Sequence, residues 1–340
     1  MVKQNIFFII KAAVTVAVSY LAAAIPGAFI PGALVLGVLL VAWTYSQSYG
    51  KTALLGFLSL ASIGVGVFSG RVDADFVCRV IYNFLIICGG GTAIGIALKT
   101  KRTFVSLLSV GTLTYLSSFL VWIVKDSVIG KINFIDEYIN KPVALFFETY
   151  TQLLTASGTQ NFENILAVTG DLQWVVQQTL AMIVPSFFII CCASLCYVVF
   201  SVGRKIIVKF YGSTIEGYPE FSQIRLPKSV SAVLSVLFII SFFTGNSVFA
   251  GAIANIIIIL SFVYIVYGLS IVEFFFKKTR LRFFIRFITY IIAFAVSGFA
   301  SLILPVINAP MILLMLGITD SMFDFRKLKG GNSENEQNQL

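Results

Sequence analysis

"LAMIVPSFFIICCASLCYVVFSV", residues 180–202, runs for 23 positions without a charged side chain. Wound as an α-helix at about 1.5 Å per residue, it covers the ~30 Å hydrocarbon core of a bilayer. A surface helix of a soluble protein would keep a wide polar face, whereas this run is apolar on nearly every side. Lipid cannot hydrogen-bond an open backbone, so a lone segment of this kind spans only as a helix, which predicts an all-α fold.

The same pattern recurs outward from this stretch. Apolar runs fall at about 6–24, 27–45, 52–69, 75–98, 103–124, 174–202, 229–244, 248–272, 284–303 and 309–325. Of the 340 residues, 58% are hydrophobic and 11% are charged, with Phe at 33 copies, too apolar for a water-facing surface over most of the chain. The expectation is a polytopic helical membrane protein of about 8–10 transmembrane helices. The first run resembles a secretory leader, but Lys11 interrupts its apolar core, so it reads as a retained helix.

The formal net charge is +9, and the basic residues sit in short clusters between apolar runs rather than along one surface. That arrangement argues against a nucleic-acid partner and for the positive-inside rule. With the N-terminus cytoplasmic, Lys3, Lys51, "KTKR" (99–102), the 204–228 loop, "KKTRLRFFIR" (277–286) and "FRKLK" all fall inside. The outer loops keep Arg71, Lys125, Lys131 and Lys141. An even number of spans then returns the C-terminus to the cytoplasm. The expected organisation is a six-helix membrane bundle over residues 1–203 with an outer-face insertion at 125–173, a basic cytoplasmic loop at 204–228, C-terminal membrane helices over 229–327, and a polar tail at 328–340. The tail has too few apolar side chains to offset the entropy of ordering it.

Chemistry-bearing patterns are few. There is no histidine, and Cys78, Cys88, Cys191, Cys192 and Cys196 all lie in apolar runs, so nothing calls for a metal or other cofactor, and no nucleophile–base pair suggests an enzyme. "CGGGTAIG" (88–95) lacks the ending of a phosphate loop. Gly91 with Gly95, and Gly66 with Gly70, instead have the four-residue spacing that lets helix backbones approach closely; Ala13 and Ala17 repeat it. Arg79 shares a helix face with Asp75 and Asn83, and reads either as an interfacial ion pair or as the guanidinium of a substrate site completed by Tyr82 and Asn83.

The last run closes on "GITDSMFDFRK" (317–327). Asp320 and Asp324 stand four apart at the negative end of a helix dipole, so they need cationic neighbours. The basic 204–228 and 277–286 segments are the expected source, which makes the motif a structural latch or a docking point.

Together with "FSQIRLPKS" (221–229) and the helix around Pro185, this motif resembles the YybS-like family of predicted bacterial membrane proteins, which carry a domain of unknown function. Gly317, Asp320, Asp324, Phe325, Arg326 and Lys327 are the positions that fit the family's closing motif. The resemblance implies a bacterial cytoplasmic membrane location. It also implies an N-terminal half similar to the substrate-binding S components of energy-coupling-factor transporters, with Ala13 and Ala17 as a partner-facing pair. Two roles follow as expectations: binding of a small solute in a transport-related setting, or scaffolding of a membrane or cytoplasmic protein partner through the basic face.

Overall fold

In a computed structural model, the chain is described at residues 2–25, 27–68, 72–156, 162–212, 215, 217–244, 248–279, 281–303 and 308–326. These described residues are helical almost throughout, with no strand among them. The ten apolar runs each fall on helix. In order these helices are α1 (Val2–Ala24), α2 (Phe29–Ser46), α3 (Tyr49–Gly66), α4 (Ala74–Phe84), α5 (Gly90–Lys99), α6 (Phe104–Val124), α7 (Lys141–Ala156), α8 (Phe162–Tyr211), α9 (Lys228–Ser241), α10 (Val248–Lys278), α11 (Phe283–Ile303) and α12 (Ala309–Phe323). A π-helical turn, Leu85–Gly89, joins α4 to α5 as one continuous rod, and a second, Lys125–Ile129, extends α6.

Six of these rods, among the described residues, are both long and apolar enough to cross a membrane: Ile6–Ala24, Phe29–Ser46, Ala74–Lys99, Phe104–Ile129, Thr169–Tyr211 and Phe249–Lys278. Shorter apolar helices lie in α9, α11 and α12. The protein is therefore an all-α polytopic membrane protein.

The 125–173 segment differs from a free-standing insertion. Its first residues continue α6, α7 forms a helix of its own, and residues 162–173 are the opening turns of α8. At 50 residues α8 rises about 75 Å, more than twice a hydrocarbon core, because nothing between Phe162 and the apolar run interrupts it. Gly170 is tolerated within a helix, and Pro185 costs the backbone only a local hydrogen bond.

The helices divide into two compact units, Met1–Gly217 and Tyr218–Leu340. In the first, α2 is central and packs on α1, α5 and α8. Its sequence explains this: it has no charge, and Gly32, Ala33, Leu36, Gly37, Leu40 and Val41 are buried. A Cβ at Gly91 would lie 2.4 Å from the Gly37 carbonyl oxygen, and one at Gly95 would lie 2.7 Å from Thr44 Cβ, so both glycines set the approach of α5 to α2. Gly66 does the same more loosely for α3 on α1, with Tyr20 O at 3.1 Å. Gly70 lies outside the described residues. Ala13 and Ala17 are exposed. Hydroxyls glue the remaining contacts: Ser19 and Ser59 share a hydrogen bond of 2.7 Å beside Cys88, all three fully buried.

Gly91→Ala should lower thermal stability in detergent by about 1–3 kcal/mol, because the added methyl meets backbone that cannot rotate away. Gly64→Ala, with open space at its Cβ, should leave the melting temperature unchanged in the same assay.

Candidate functional site

The closing motif forms the densest polar constellation, and it lies wholly within the second unit. Asn308 caps α12, its side chain accepting from the Met311 amide at 2.9 Å, with proline in the first turn, so the helix starts cleanly. At the other end Asp324 adopts φ 50° and ψ 53°, the left-handed conformation of a helix terminator, while its amide still donates to the Asp320 carbonyl at 2.8 Å. That reversal folds Phe325 and Arg326 back over the last turn. Gly317 and Gly268 let α12 and α10 touch: a Cβ would meet Tyr264 O at 2.4 Å from Gly317 and Leu313 O at 2.1 Å from Gly268.

Arg326 consequently enters the interior, its side chain 0% exposed beside an Asp320 side chain that is 1% exposed. A guanidinium has five N–H donors, and here its three nitrogens all find acceptors. Nε donates to Asp320 Oδ2 at 3.1 Å, and Nη2 lies in ion-pair contact with the same oxygen at 3.1 Å; Nη1 donates to the Ser222 carbonyl at 2.8 Å and Ser270 Oγ at 3.0 Å; Nη2 donates to the Ile224 carbonyl at 2.8 Å. The cation also lies 4.9 Å from the Tyr267 ring centroid, and the Tyr267 hydroxyl donates to Asp320 Oδ2 at 2.8 Å. One turn away, Ser231 of α9, Tyr264 of α10 and Ser321 of α12 form a buried hydroxyl cluster. The arrangement ties three helices and the 222–224 segment to one ion pair.

This corrects the expectation for the aspartates. The cation facing Asp320 is Arg326, six residues along the same motif, not a lysine or arginine of the basic segments. The 221–224 stretch contributes carbonyl oxygens instead, because a fully donating arginine needs neutral acceptors as much as a counter-ion. Asp324 does not share the buried site; it is half-buried and makes the turn. Phe325 is exposed and stacks on Phe323, with centroids 5.9 Å apart. Lys327 lies outside the described residues, as does the 328–340 tail.

The basic segments pair elsewhere. Lys277 meets Glu220 at 2.6 Å, and Arg286 meets Glu273 at 2.6 Å.

In the first unit, Arg79 is held by Asp75 at 2.8 Å. Asp75 also meets Lys125 at 3.4 Å, Lys125 meets the buried Asp126 at 2.7 Å, and Asp126 accepts the Tyr138 hydroxyl at 2.7 Å. That carboxylate, by accepting the phenolic proton, raises the Tyr138 pKa above its ordinary value. Asn83 turns its amide to the Arg79 carbonyl at 2.9 Å, and Tyr82 offers its own carbonyl to Ser118. Arg79, Tyr82 and Asn83 thus share one stretch of helix, and these contacts all run to protein groups. The string holds two cations and two carboxylates, a neutral balance. Nothing in the sequence marks Lys125, Asp126 and Tyr138 as members of this string, since partners from three elements cannot be read as a spacing.

Residues 13–321 match the family described as predicted membrane protein (DUF2232). The chain belongs to this family. The match takes in Gly317 and Asp320 and stops before Asp324, Phe325 and Arg326. No curated protein matches the chain, and no solved structure does. Membership of the family establishes a membrane protein and leaves its action to be inferred from the geometry.

Arg326→Ala should destabilise the protein by about 3–5 kcal/mol, since it leaves Asp320 buried without its counter-charge. Arg326→Lys should recover little of that, because an ammonium has three donors and no planar fork. Asp324→Gly should be neutral or slightly stabilising, as glycine accepts a positive φ without steric cost. Thermal melts of the full chain in one detergent check all three.

Proposed function

We propose that the protein is a non-transporting membrane factor that scaffolds or regulates other proteins through the basic residues at its helix ends. The observation that carries this reading is the burial of Arg326 against Asp320 with its other hydrogen bonds to Ser222, Ser270 and Ile224, which favours a brace over a reaction centre. Among the described residues, the exposed cations include Lys101 and Arg102 after α5, Lys205 and Lys209 late in α8, and Arg225 and Lys278 in the second unit. Their positive charge at the surface is complementary to an acidic protein surface. Placement of these ends on the cytoplasmic side of a bacterial inner membrane follows from the charge bias and belongs to the same proposal.

A second reading, small-solute binding by the N-terminal helices, is favoured by the π-helical turn at Leu85–Gly89, directly after Arg79–Asn83 on the same rod. Such turns recur at functional sites, and the resemblance of this half to S components points the same way. Loading a ligand there would require Arg79 to exchange Asp75 for the solute.

Capture of the tagged full chain from detergent-solubilised membranes separates the two. The scaffold reading expects one reproducible protein partner, lost in the Lys101→Gln, Arg102→Gln, Lys205→Gln triple variant and kept in Arg79→Ala. Recovery of no partner from wild type would remove it. A thermal shift with a member of a vitamin, nucleobase or metal panel, abolished by Arg79→Ala, would put the second reading in its place.

A further inference from the structure

The second unit carries a groove of about 400 Å³ between the start of α9 and the end of α12, lined by Lys228, Ser231, Ala232, Ser235, Met322 and Phe323. The α9 residues fall at i, i+3, i+4 and i+7, so they form one stripe of the helix. Lys228 is exposed and has no ion-pair partner among the described residues. No carboxylate lines the groove. The facing wall is apolar, with Met322 and Phe323 respectively 48% and 68% exposed, and it is held in place by the buried Arg326 turn behind it.

We propose that this groove binds an anionic phospholipid, its phosphate on Lys228 and the Ser235 hydroxyl and its acyl chain along α9. Three features select that occupant. A cation and a hydroxyl with no acidic neighbour attract a phosphate and offer nothing to the ammonium of a zwitterionic headgroup, so net negative charge is what the site distinguishes. Beyond Ala232 the same helix side continues through Val236 and Ile239, which are 53% and 60% exposed, an apolar track that a free phosphate would leave uncovered. Finally, α9 has 14 residues and rises about 21 Å, short of a ~30 Å core, so the bilayer meets it by thinning or by a flanking cation reaching the headgroups. Lys228, at the first position of the helix, is placed for that contact. The site goes beyond the scaffold reading and does not depend on it.

The test uses the purified full chain reconstituted in phosphatidylcholine vesicles containing a minor fraction of phosphatidylglycerol, extracted gently, with bound lipids counted by native mass spectrometry. Wild type should retain phosphatidylglycerol above its share in the vesicle. Lys228→Gln should reduce that retention roughly fivefold, Lys228→Arg should keep it, and Ala232→Trp should reduce it by filling the groove without removing charge. Both positions are exposed, so melting temperatures in pure phosphatidylcholine should match wild type. Equal retention of the two lipids by wild type, or undiminished retention in Lys228→Gln and Ala232→Trp, would overturn the proposal. Displacement of phosphatidylglycerol by inorganic phosphate would overturn it in favour of a soluble anion. Unchanged lipid counts with a shift in oligomer mass in Ala232→Trp would overturn it in favour of a second copy of the chain.

Discussion

A guanidinium cannot be buried unless its charge and all its donors are answered, and the end of the second unit is organised around that constraint. Arg326 reaches Asp320 only because Asp324 turns the chain into the left-handed region, and its remaining N–H groups reach Ser222 and Ile224 only because the 221–224 stretch lies across α10. The 3.1 Å carboxylate contacts are thus one part of a shell whose other members are neutral. Burial of the pair brings no large net stability by itself; its value is positional, since separating the two would leave a buried charge without its counter-ion.

The first unit solves the same problem differently. Near the ends of its membrane helices Asp75, Arg79, Lys125 and Asp126 balance one another. Its interior is held by close backbone contact at Gly37, Gly91 and Gly95 and by hydroxyls such as Ser19 and Ser59. In a membrane this division is expected, because apolar side chains gain little from leaving lipid for one another, while tight packing and hydrogen bonds still discriminate. The Asp320–Arg326 pair stands where an uncompensated charge would be least tolerable.

Hydrophobic run length sufficed to locate the helices, since the requirement for internal backbone hydrogen bonding in lipid leaves few alternatives. Ahead of residue 174 the helix continues back to Phe162, because the polar residues of "NILAVTGDLQW" end an apolar run without ending a helix, and run length alone does not separate the two. The glycine spacing at Gly91 and Gly95 was readable because four residues make one helix face. Gly268, equally close-packed, has no spaced partner and gave no signal. Ser222 and Ser270 acquire importance from the arginine above them, and nothing in their own neighbourhoods announces it.

What the sequence by itself determined is local: lengths of apolar helix, the membrane as solvent, the absence of histidine chemistry, and the need of Asp320 for a cation. Which cation meets it was decided by tertiary structure alone. A turn at Asp324, carbonyls about a hundred residues away in sequence, and a glycine-permitted approach of α10 to α12 converge on Arg326. Charge pairing depends on distance in space and on desolvation, and neither is encoded in the spacing of residues along the chain.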